Sequence, residues 1–285
     1  MSILIYLCII IASVTRSATS KLYNRSDGPS YVFNAIKTLS ALILFILMGI
    51  VQFRFHLPTV LYGAAYGAFL CIASYSGFRA LSMGPMSLTS MLVSFSLIIP
   101  LVWGIAVRGE QVSLIQYVGI LLLMVALVLV NADKLRRGGS DGKINRLWFL
   151  YVAITFACDG ACSILQKEHQ TQFPSQYSKE FMFFAMLLCS AVFVISAFRK
   201  MTFSEIKAVK GKKFAVLSGV TNAVQNYLTM ILAGFENATA LFPIISAGTV
   251  LGSLACGGIA FKEKLKINQY LAIALGIAAV VLLKI

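Results

Sequence analysis

The chain alternates long apolar runs with short polar connectors from one end to the other. A helix needs roughly 20 apolar residues to cross about 30 Å of hydrocarbon, and ten runs of about that length can be distinguished. They cover residues 2–20, 31–53, 58–81, 86–107, 112–132, 147–166, 181–198, 214–235, 238–260 and 267–284. The pattern predicts an all-α integral membrane protein with ten transmembrane helices and little chain outside them.

The first run, residues 2–20, has an alternative interpretation as a cleaved signal peptide, because its apolar stretch ends near the sequence SATS. A secretory signal begins with a positively charged segment. Here the nearest basic residues, Arg16, Lys21 and Arg25, follow the most apolar part of the run. We therefore expect residues 2–20 to remain in the protein as its first helix.

Composition excludes an ordinary soluble domain. Hydrophobic residues make up 59% of the chain and charged residues 12%, whereas soluble domains have about a quarter charged residues. The net charge of +14 would suit a nucleic-acid partner, but the Lys and Arg residues concentrate in alternate connectors, as the positive-inside rule describes. We expect those connectors in the cytoplasm, both chain ends outside, and no nucleic-acid partner.

One connector sequence occurs twice in the chain, in similar form. The sequence RGEQVSLIQYVG at 108–119 is echoed by FKEKLKINQYLA at 261–272, an offset of 153 residues. The shared positions are Glu110, Gln116 and Tyr117 in the first copy and Glu263, Gln269 and Tyr270 in the second. Each half contains five runs, an odd number, so the halves would cross the membrane in opposite senses, a common transporter architecture. We predict inverted repeats over residues 1–140 and 141–285. The alternative explanation is that the two segments resemble each other only because both consist of apolar helices and short loops.

The segments around both connectors resemble the EamA-type unit of the drug/metabolite transporter superfamily. They are SMLVSFSLIIPLVWGIAVRGE followed by QYVGILLLMVALVLV, and TALFPIISAGTVLGSLACGGIAFKEKLKINQYLAIALGIAAVVLL. The second copy departs from the family pattern by having Lys262 in place of the usual glycine before Glu263. The resemblance implies a ten-helix carrier of small metabolites, often an exporter of amino acids or toxic compounds.

Charged residues inside the apolar runs are candidates for function, because ionisable groups are unfavourable in a bilayer. Asp159 lies near the middle of the sixth run and could bind a proton or a cationic substrate group, or could be satisfied by helix contacts. Arg16 could recognise an anionic or zwitterionic substrate, or could extend to the interface, as long basic side chains do. Lys37, near the start of the second run, is interpreted as an interfacial anchor.

Polar residues recur at intervals of three and four in the eighth run and therefore share one helix face. They are Ser218, Asn222, Gln225, Asn226 and Thr229. Their amides could bond to neighbouring helices or line a hydrated cavity. Tyr75 in the third run could line a cavity or pack. The predicted substrate-binding residues are Asp159, Asn222, Gln225, Asn226, Arg16 and Tyr75.

No catalytic residues, metal site or cofactor are expected. Cys158 and Cys162 share a helix face, but neither His56 nor His169 lies within that run, and an intramembrane enzyme would need an activated set of groups at membrane depth. A channel is a further alternative, although channels usually present rings of like polar groups. The predicted protein is a secondary transporter, proton-linked or exchanging, in a bacterial inner membrane. Its expected partners are a small-molecule substrate and the lipid bilayer, and its expected state is a monomer or homodimer.

Overall fold

The computed structural model describes residues 2–24, 26, 28–50, 53–83, 89, 92–138, 146–260 and 267–284. Every regular element in these ranges is helical, which confirms the predicted all-α class. The main helices are α1 (Ser2–Asn24), α2 (Ser30–Gly49), α3 (Leu57–Met83), α4 (Ile98–Ala106), α5 (Leu114–Gly138), α6 (Arg146–Gln172), α7 (Ser178–Phe198), α8 (Lys212–Ala233), α9 (Ala238–Ala260) and α10 (Ile267–Lys284). A 3-10 turn, Phe95–Leu97, precedes α4, and a short helix, Phe203–Ala208, precedes α8.

Seven of the helices in the described ranges are long and apolar enough to cross a membrane. They are α1, α2, α3, α6, α7, α9 and α10. The segments around α4 and α5 are apolar but shorter, as Leu92–Ala106 and Leu114–Val130. Helix α8 has 22 residues, but the polar residues along it keep it outside this group. The chain is a multi-pass membrane protein.

The chain forms two compact units, each of which contains parts of both predicted repeats. One unit comprises residues 1–68 and 168–235, and the other comprises 69–167 and 236–285. The two units are defined by which residues contact one another in the structure. The two repeats are defined by similarity between stretches of sequence. The repeat boundary between residues 140 and 141 therefore stays a prediction.

In the first unit, α8 packs against α1, α2 and α7. Asn222 of α8 contacts Arg16 of α1, and Gly211, before α8, lies beside Ser26, after α1. The end of one helix therefore meets the start of the other, so α1 and α8 are antiparallel. At Gly219 a Cβ atom would lie 2.3 Å from the carbonyl oxygen of Lys37, and only glycine permits so close an approach of α8 to α2.

Helices α2 and α7 of the first unit also pack in opposite directions. The Phe53 ring, just after α2, lies 5.3 Å from the Phe183 ring near the start of α7. At the other end, the Lys200 ammonium lies 5.1 Å from the centre of the Tyr31 ring at the start of α2. These two contacts lie at opposite ends of α2 and α7, which shows that the helices are antiparallel.

In the second unit, α10 packs along α5, and α9 packs against α4 and α10. Gly119, early in α5, contacts Leu282 near the end of α10. Leu97 packs in one cluster with Ala247, whereas Gly104 lies beside Thr239. These contacts make both α5–α10 and α4–α9 antiparallel.

Helices α3 and α6 contact each other inside the second unit through polar and apolar groups. The hydroxyls of Ser76 and Thr155 are 2.8 Å apart. Ala80 packs with the fully buried Trp148, whose indole N–H donates to the Thr89 hydroxyl at 2.9 Å. Later residues of α3 contact earlier residues of α6, so these two helices are also antiparallel.

The repeated connector has a structural role in its first copy. The carboxylate of Glu110 accepts hydrogen bonds from the backbone N–H groups of Ala238 and Thr239, both at 2.9 Å, and from the Thr239 hydroxyl at 2.8 Å. It thereby satisfies free N–H groups at the start of α9. Gly109 has φ +65° and makes the turn before this carboxylate. The corresponding Lys262 and Glu263 lie outside the described residues.

The other repeated positions of that connector begin α5. Ser113 and Gln116 form a reciprocal pair: the Ser113 backbone N–H donates to Gln116 Oε1, and the Gln116 N–H donates to Ser113 Oγ, both at 3.2 Å. This is the capping box that starts many helices. Tyr117 is exposed on the protein surface, where tyrosine suits a membrane interface.

Candidate substrate-binding site

Two of the predicted binding residues meet in the first unit. Arg16 of α1 donates from Nη1 to the Oδ1 atom of Asn222 on α8 at 3.4 Å. Arg16 is half-buried, and Asn222 is only 6% exposed. The antiparallel packing of α1 and α8 brings these residues to the same level, although they are 206 positions apart in sequence.

The polar stripe of α8 continues from Asn222 to Asn226. Asn226 Nδ2 donates to the Asn222 carbonyl oxygen at 2.9 Å, and Asn226 Oδ1 accepts from the Tyr66 hydroxyl at 3.1 Å. Tyr66 belongs to the first turns of α3 and is buried. Part of the stripe therefore bonds to neighbouring helices, one of the two roles considered for it.

Other polar atoms of the same region are buried without a partner. Among the residues that the structure describes, Gln225 Oε1, Ser218 Oγ and Ser13 Oγ accept and donate no hydrogen bond. Ser13 precedes Arg16 by three residues, and Gln225 follows Asn222 by three, so each is one helical turn from the contact. A buried polar atom without a partner is unfavourable by about 1–3 kcal/mol.

Lys37 lies near Arg16, a proximity that the sequence did not reveal. Its charge interacts repulsively with that of Arg16. Within the described ranges, its ammonium makes no hydrogen bond or salt bridge and contacts only the Phe33 ring, at 5.7 Å from the centre. The Lys37 backbone lies beside Gly219 of α8, one turn before Asn222, so Lys37 is a further candidate residue of this region.

Asp159 belongs to the second unit, within α6. It is half-buried between the buried Cys158 and Gly160. Gly160 faces Ile99 of α4, and a Cβ there would lie 2.4 Å from the Ile99 side chain, so α4 and α6 are in close contact beside the carboxylate. Ser163, one turn later, donates to the Asp159 carbonyl oxygen at 3.3 Å. The carboxylate has contacts of its own, and its role in binding stays a prediction.

Tyr75 also belongs to the second unit, and its side chain is 57% exposed. Its hydroxyl accepts a hydrogen bond from Arg79 Nε at 3.2 Å, and the Arg79 guanidinium lies 5.7 Å from the ring centre. A tyrosine in contact with a basic side chain suits the membrane interface as well as a binding site.

Both histidines belong to one hydrogen-bonded chain in the first unit. The sequence placed His169 beyond the sixth apolar run, but α6 continues to Gln172 and buries His169 completely. Gln170 Oε1 accepts from the Ser175 N–H, so its Nε2 donates to His169 Nδ1 at 3.1 Å. The Thr59 hydroxyl lies 3.0 Å from His169 Nε2 and 3.0 Å from His56 Nδ1. This network of hydrogen bonds joins α3 to α6.

An open apolar groove of about 360 Å³ lies in the second unit between α4 and α6. Its walls include Ile99, Val102, Trp103, Phe156 and Ile164. A groove with almost no polar surface offers no orienting contacts to a charged metabolite. It suits acyl chains of the surrounding lipid.

Comparison with known proteins agrees with this architecture. Residues 1–132 match the family model of EamA, described as the EamA-like transporter family. No curated protein matches the chain. A solved structure described only as "Crystal structure of protein" has a TM-score of 0.78 with this chain, covers 98% of it and 94% of its own length, and is 17% identical. At that identity the likeness shows the fold alone.

The family match bears directly on the resemblance seen in the repeated segments, because the first of those segments lies inside the matched range. Proteins of this family are transporters and not enzymes. The match supports the resemblance over the first part of the chain: residues 1–132 are similar to the EamA-like transporter family.

Proposed function

We propose that the chain is a secondary-active transporter, and an exporter, of small metabolites such as amino acids or drug-like compounds. It works by alternating access across a bacterial inner membrane, with ten transmembrane helices in two inverted repeats, residues 1–140 and 141–285. The candidate substrate-binding residues of the first unit are Arg16, Asn222, Gln225 and Asn226. Asp159 and Tyr75 are separate candidates in the second unit. Exchange or coupling to protons through Asp159 supplies the driving force. The protein acts as a monomer or homodimer.

The observation that carries this proposal is the direction of paired helices. If the second repeat is an inverted copy of the first, α2, α4 and α5 correspond to α7, α9 and α10. Each of these pairs is in contact, and each is antiparallel. A two-fold axis in the membrane plane produces that result, since it brings equivalent helices together and reverses them.

Helix α8 supports the count of ten despite its polarity. Its 22 residues span about 33 Å at 1.5 Å per residue, enough to cross the hydrocarbon layer. Its polar face packs against α1, α2 and α7, so few of its polar groups would meet lipid. A helix with protein on several sides tolerates such a face, since bundle interiors admit polar residues.

Single-cysteine labelling tests the topology. In a variant whose native cysteines are replaced by alanine, Ser140→Cys and Lys264→Cys should react with a membrane-impermeant maleimide only from the cytoplasmic side. Ser113→Cys and Ser175→Cys should react only from the outside. If positions 140 and 264 label from opposite sides, the inverted repeat is wrong.

Transport itself is tested in proteoliposomes by counterflow, in which internal unlabelled solute drives uptake of the labelled solute. Amino acids, organic acids and cationic drug-like compounds serve as the panel. Saturable counterflow of at least one compound supports a carrier, whereas flux without saturation or counterflow favours the channel alternative. No flux of any compound above empty liposomes would contradict the proposal.

A further inference from the structure

The connector from the end of α7 to the start of α8 concentrates positive charge. This basic connector, residues 199–213, reads RKMTFSEIKAVKGKK and has one acidic residue, Glu205. Its basic residues are Arg199, Lys200, Lys207, Lys210, Lys212 and Lys213. All of these side chains except that of Lys212 are exposed. Within the part of the chain that the structure describes, Arg199, Lys207 and Lys210 make no salt bridge.

The single acid of the basic connector is engaged in ordering a short helix. The Glu205 carboxylate accepts from the Thr202 backbone N–H at 2.7 Å and from the Thr202 hydroxyl at 2.8 Å. These two hydrogen bonds hold the pKa of Glu205 below its ordinary value. The pair forms a capping box that starts the helix Phe203–Ala208. The connector is therefore partly helical, and its acid caps that helix.

This short helix is amphipathic. Phe203 and Ile206 are three residues apart and share one side, and Lys207, four residues after Phe203, flanks them. The Phe203 side chain is 70% exposed. An aromatic ring gains free energy when it leaves water, and a helix with Phe on one face and Lys beside it is typical of segments that lie in the membrane interface.

Both ends of the basic connector are held at the boundary of the membrane span. Helix α7 is apolar and long enough to cross the membrane, and it ends at Phe198, five residues before Phe203. The Lys200 ammonium lies 5.1 Å from the centre of the Tyr31 ring, at the start of α2. Gly211 lies beside Ser26, after α1. The connector thus packs on helix ends at the level where lipid headgroups begin.

We propose that the basic connector binds anionic phospholipid, with Phe203 inserted among the acyl chains and Arg199, Lys207 and Lys210 in contact with headgroup phosphates. A basic side chain next to a bilayer is attracted by anionic lipid. A zwitterionic headgroup carries its own ammonium group beside the phosphate and attracts these residues less. The Lys212 ammonium donates to the Lys207 carbonyl oxygen, so it closes the helix end instead. This surface is independent of the proposed transport activity.

Fluorescence quenching tests the inference on the full-length protein in nanodiscs. Phe203→Trp introduces a reporter, and the native protein, with Trp103 and Trp148, gives the background to subtract. The bilayer contains equal parts phosphatidylglycerol and phosphatidylcholine, and one or the other has brominated acyl chains, which quench tryptophan on contact. We expect quenching by brominated phosphatidylglycerol to be about twofold stronger than quenching by brominated phosphatidylcholine.

Phe55→Trp is the matched control for position. Phe55 is 72% exposed, close to the value for Phe203. It lies at the opposite end of α7, because its ring is 6.4 Å from that of Phe184. One basic residue, Arg54, precedes it directly. The two brominated lipids should quench this reporter to nearly the same extent.

Charge variants and salt identify the cause of the preference. Joint replacement of Arg199, Lys207 and Lys210 by glutamine should remove the preference for phosphatidylglycerol in the Phe203→Trp protein. Lys207→Arg with Lys210→Arg should keep it, since the charge remains. Higher salt should weaken it in the protein with all its charges, because exposed charges are screened. Inorganic phosphate at constant ionic strength should leave it unchanged.

Several results would overturn the proposal. Absence of quenching by either lipid would show that the basic connector does not enter the bilayer. Equal quenching by both lipids would show contact without selection of anionic headgroups. A preference that survives the glutamine replacements or high salt would have another cause, and one removed by inorganic phosphate would indicate a site for the free ion. Counterflow experiments do not bear on any of these results.

Discussion

Replacement of Asn222 with aspartate places a full negative charge beside Arg16, on the helix that packs against the backbone of Lys37. The two side chains are nearly isosteric, and Asn222 Oδ1 already lies 3.4 Å from Arg16 Nη1. With an effective dielectric constant of about 20, a full charge at that distance gives an attraction of about 5 kcal/mol. Burial of the new carboxylate at a residue only 6% exposed offsets a large part of this attraction.

The expected net gain in unfolding free energy is about 2 kcal/mol, in the range of charged hydrogen bonds. It corresponds to a rise of roughly 4 °C in apparent Tm for a chain of this size. Differential scanning fluorimetry at one scan rate would measure it, since membrane proteins often unfold irreversibly.

Asn226→Asp is the matched control. Asn226 lies one turn along α8, and its amide already accepts from Tyr66 and donates to the Asn222 carbonyl oxygen. A carboxylate cannot make the donated bond, so this variant should have a lower Tm. If Asn222→Asp lowers the Tm as much as Asn226→Asp does, the two cations are already neutralised and the reasoning is wrong.

Three further changes test the fold and the coupling. Glu110→Gln should lower the Tm by about 2–4 °C, because only one amide oxygen remains to accept from the start of α9; Glu236→Gln, which breaks an exposed ion pair, should change it by less than about 2 °C. Gly219→Ala should lower the Tm more than either, since its Cβ would meet the Lys37 carbonyl oxygen; an unchanged Tm would contradict the close packing of α8 on α2. Asp159→Asn should flatten the pH dependence of transport in proteoliposomes, and a pH profile like that of the wild type would exclude proton coupling through Asp159.

Apolar runs predicted the places of the helices well but their ends less well. In the described part of the run at 86–107, the chain is helical from Leu92 to Ala106, with a 3-10 turn at Phe95–Leu97. Pro100 lies just after this turn. The sixth helix extends to Gln172 because Gln170 and His169 are paired inside the protein. Hydrophobicity does not register polar residues that are buried as pairs.

The repeated connector singled out Glu110, but the sequence did not reveal what this residue does. Similarity at an offset of 153 residues marked the glutamate, but its hydrogen-bond partners are 128 and 129 positions away. A cap between distant helices has no local sequence signature, unlike the Ser113–Gln116 capping box, whose spacing of three is recognisable. The role of Glu110 becomes clear only once the structure shows that the start of α9 lies beside it.

For the candidate site, the sequence identified the individual residues but did not reveal which of them lie close together. Arg16 and the amides of α8 stood out as polar groups in apolar runs, whereas Lys37 looked like an anchor because it lies near the start of α2. A lysine about 10 Å inside a helix can reach the interface unless neighbouring helices enclose its side chain. Gly219 holds the α2 backbone at Lys37 against α8, the helix that also carries the Arg16 contact. Interhelical packing therefore decides whether an intramembrane cation belongs to an interface or to a site, and packing depends on residues remote in sequence.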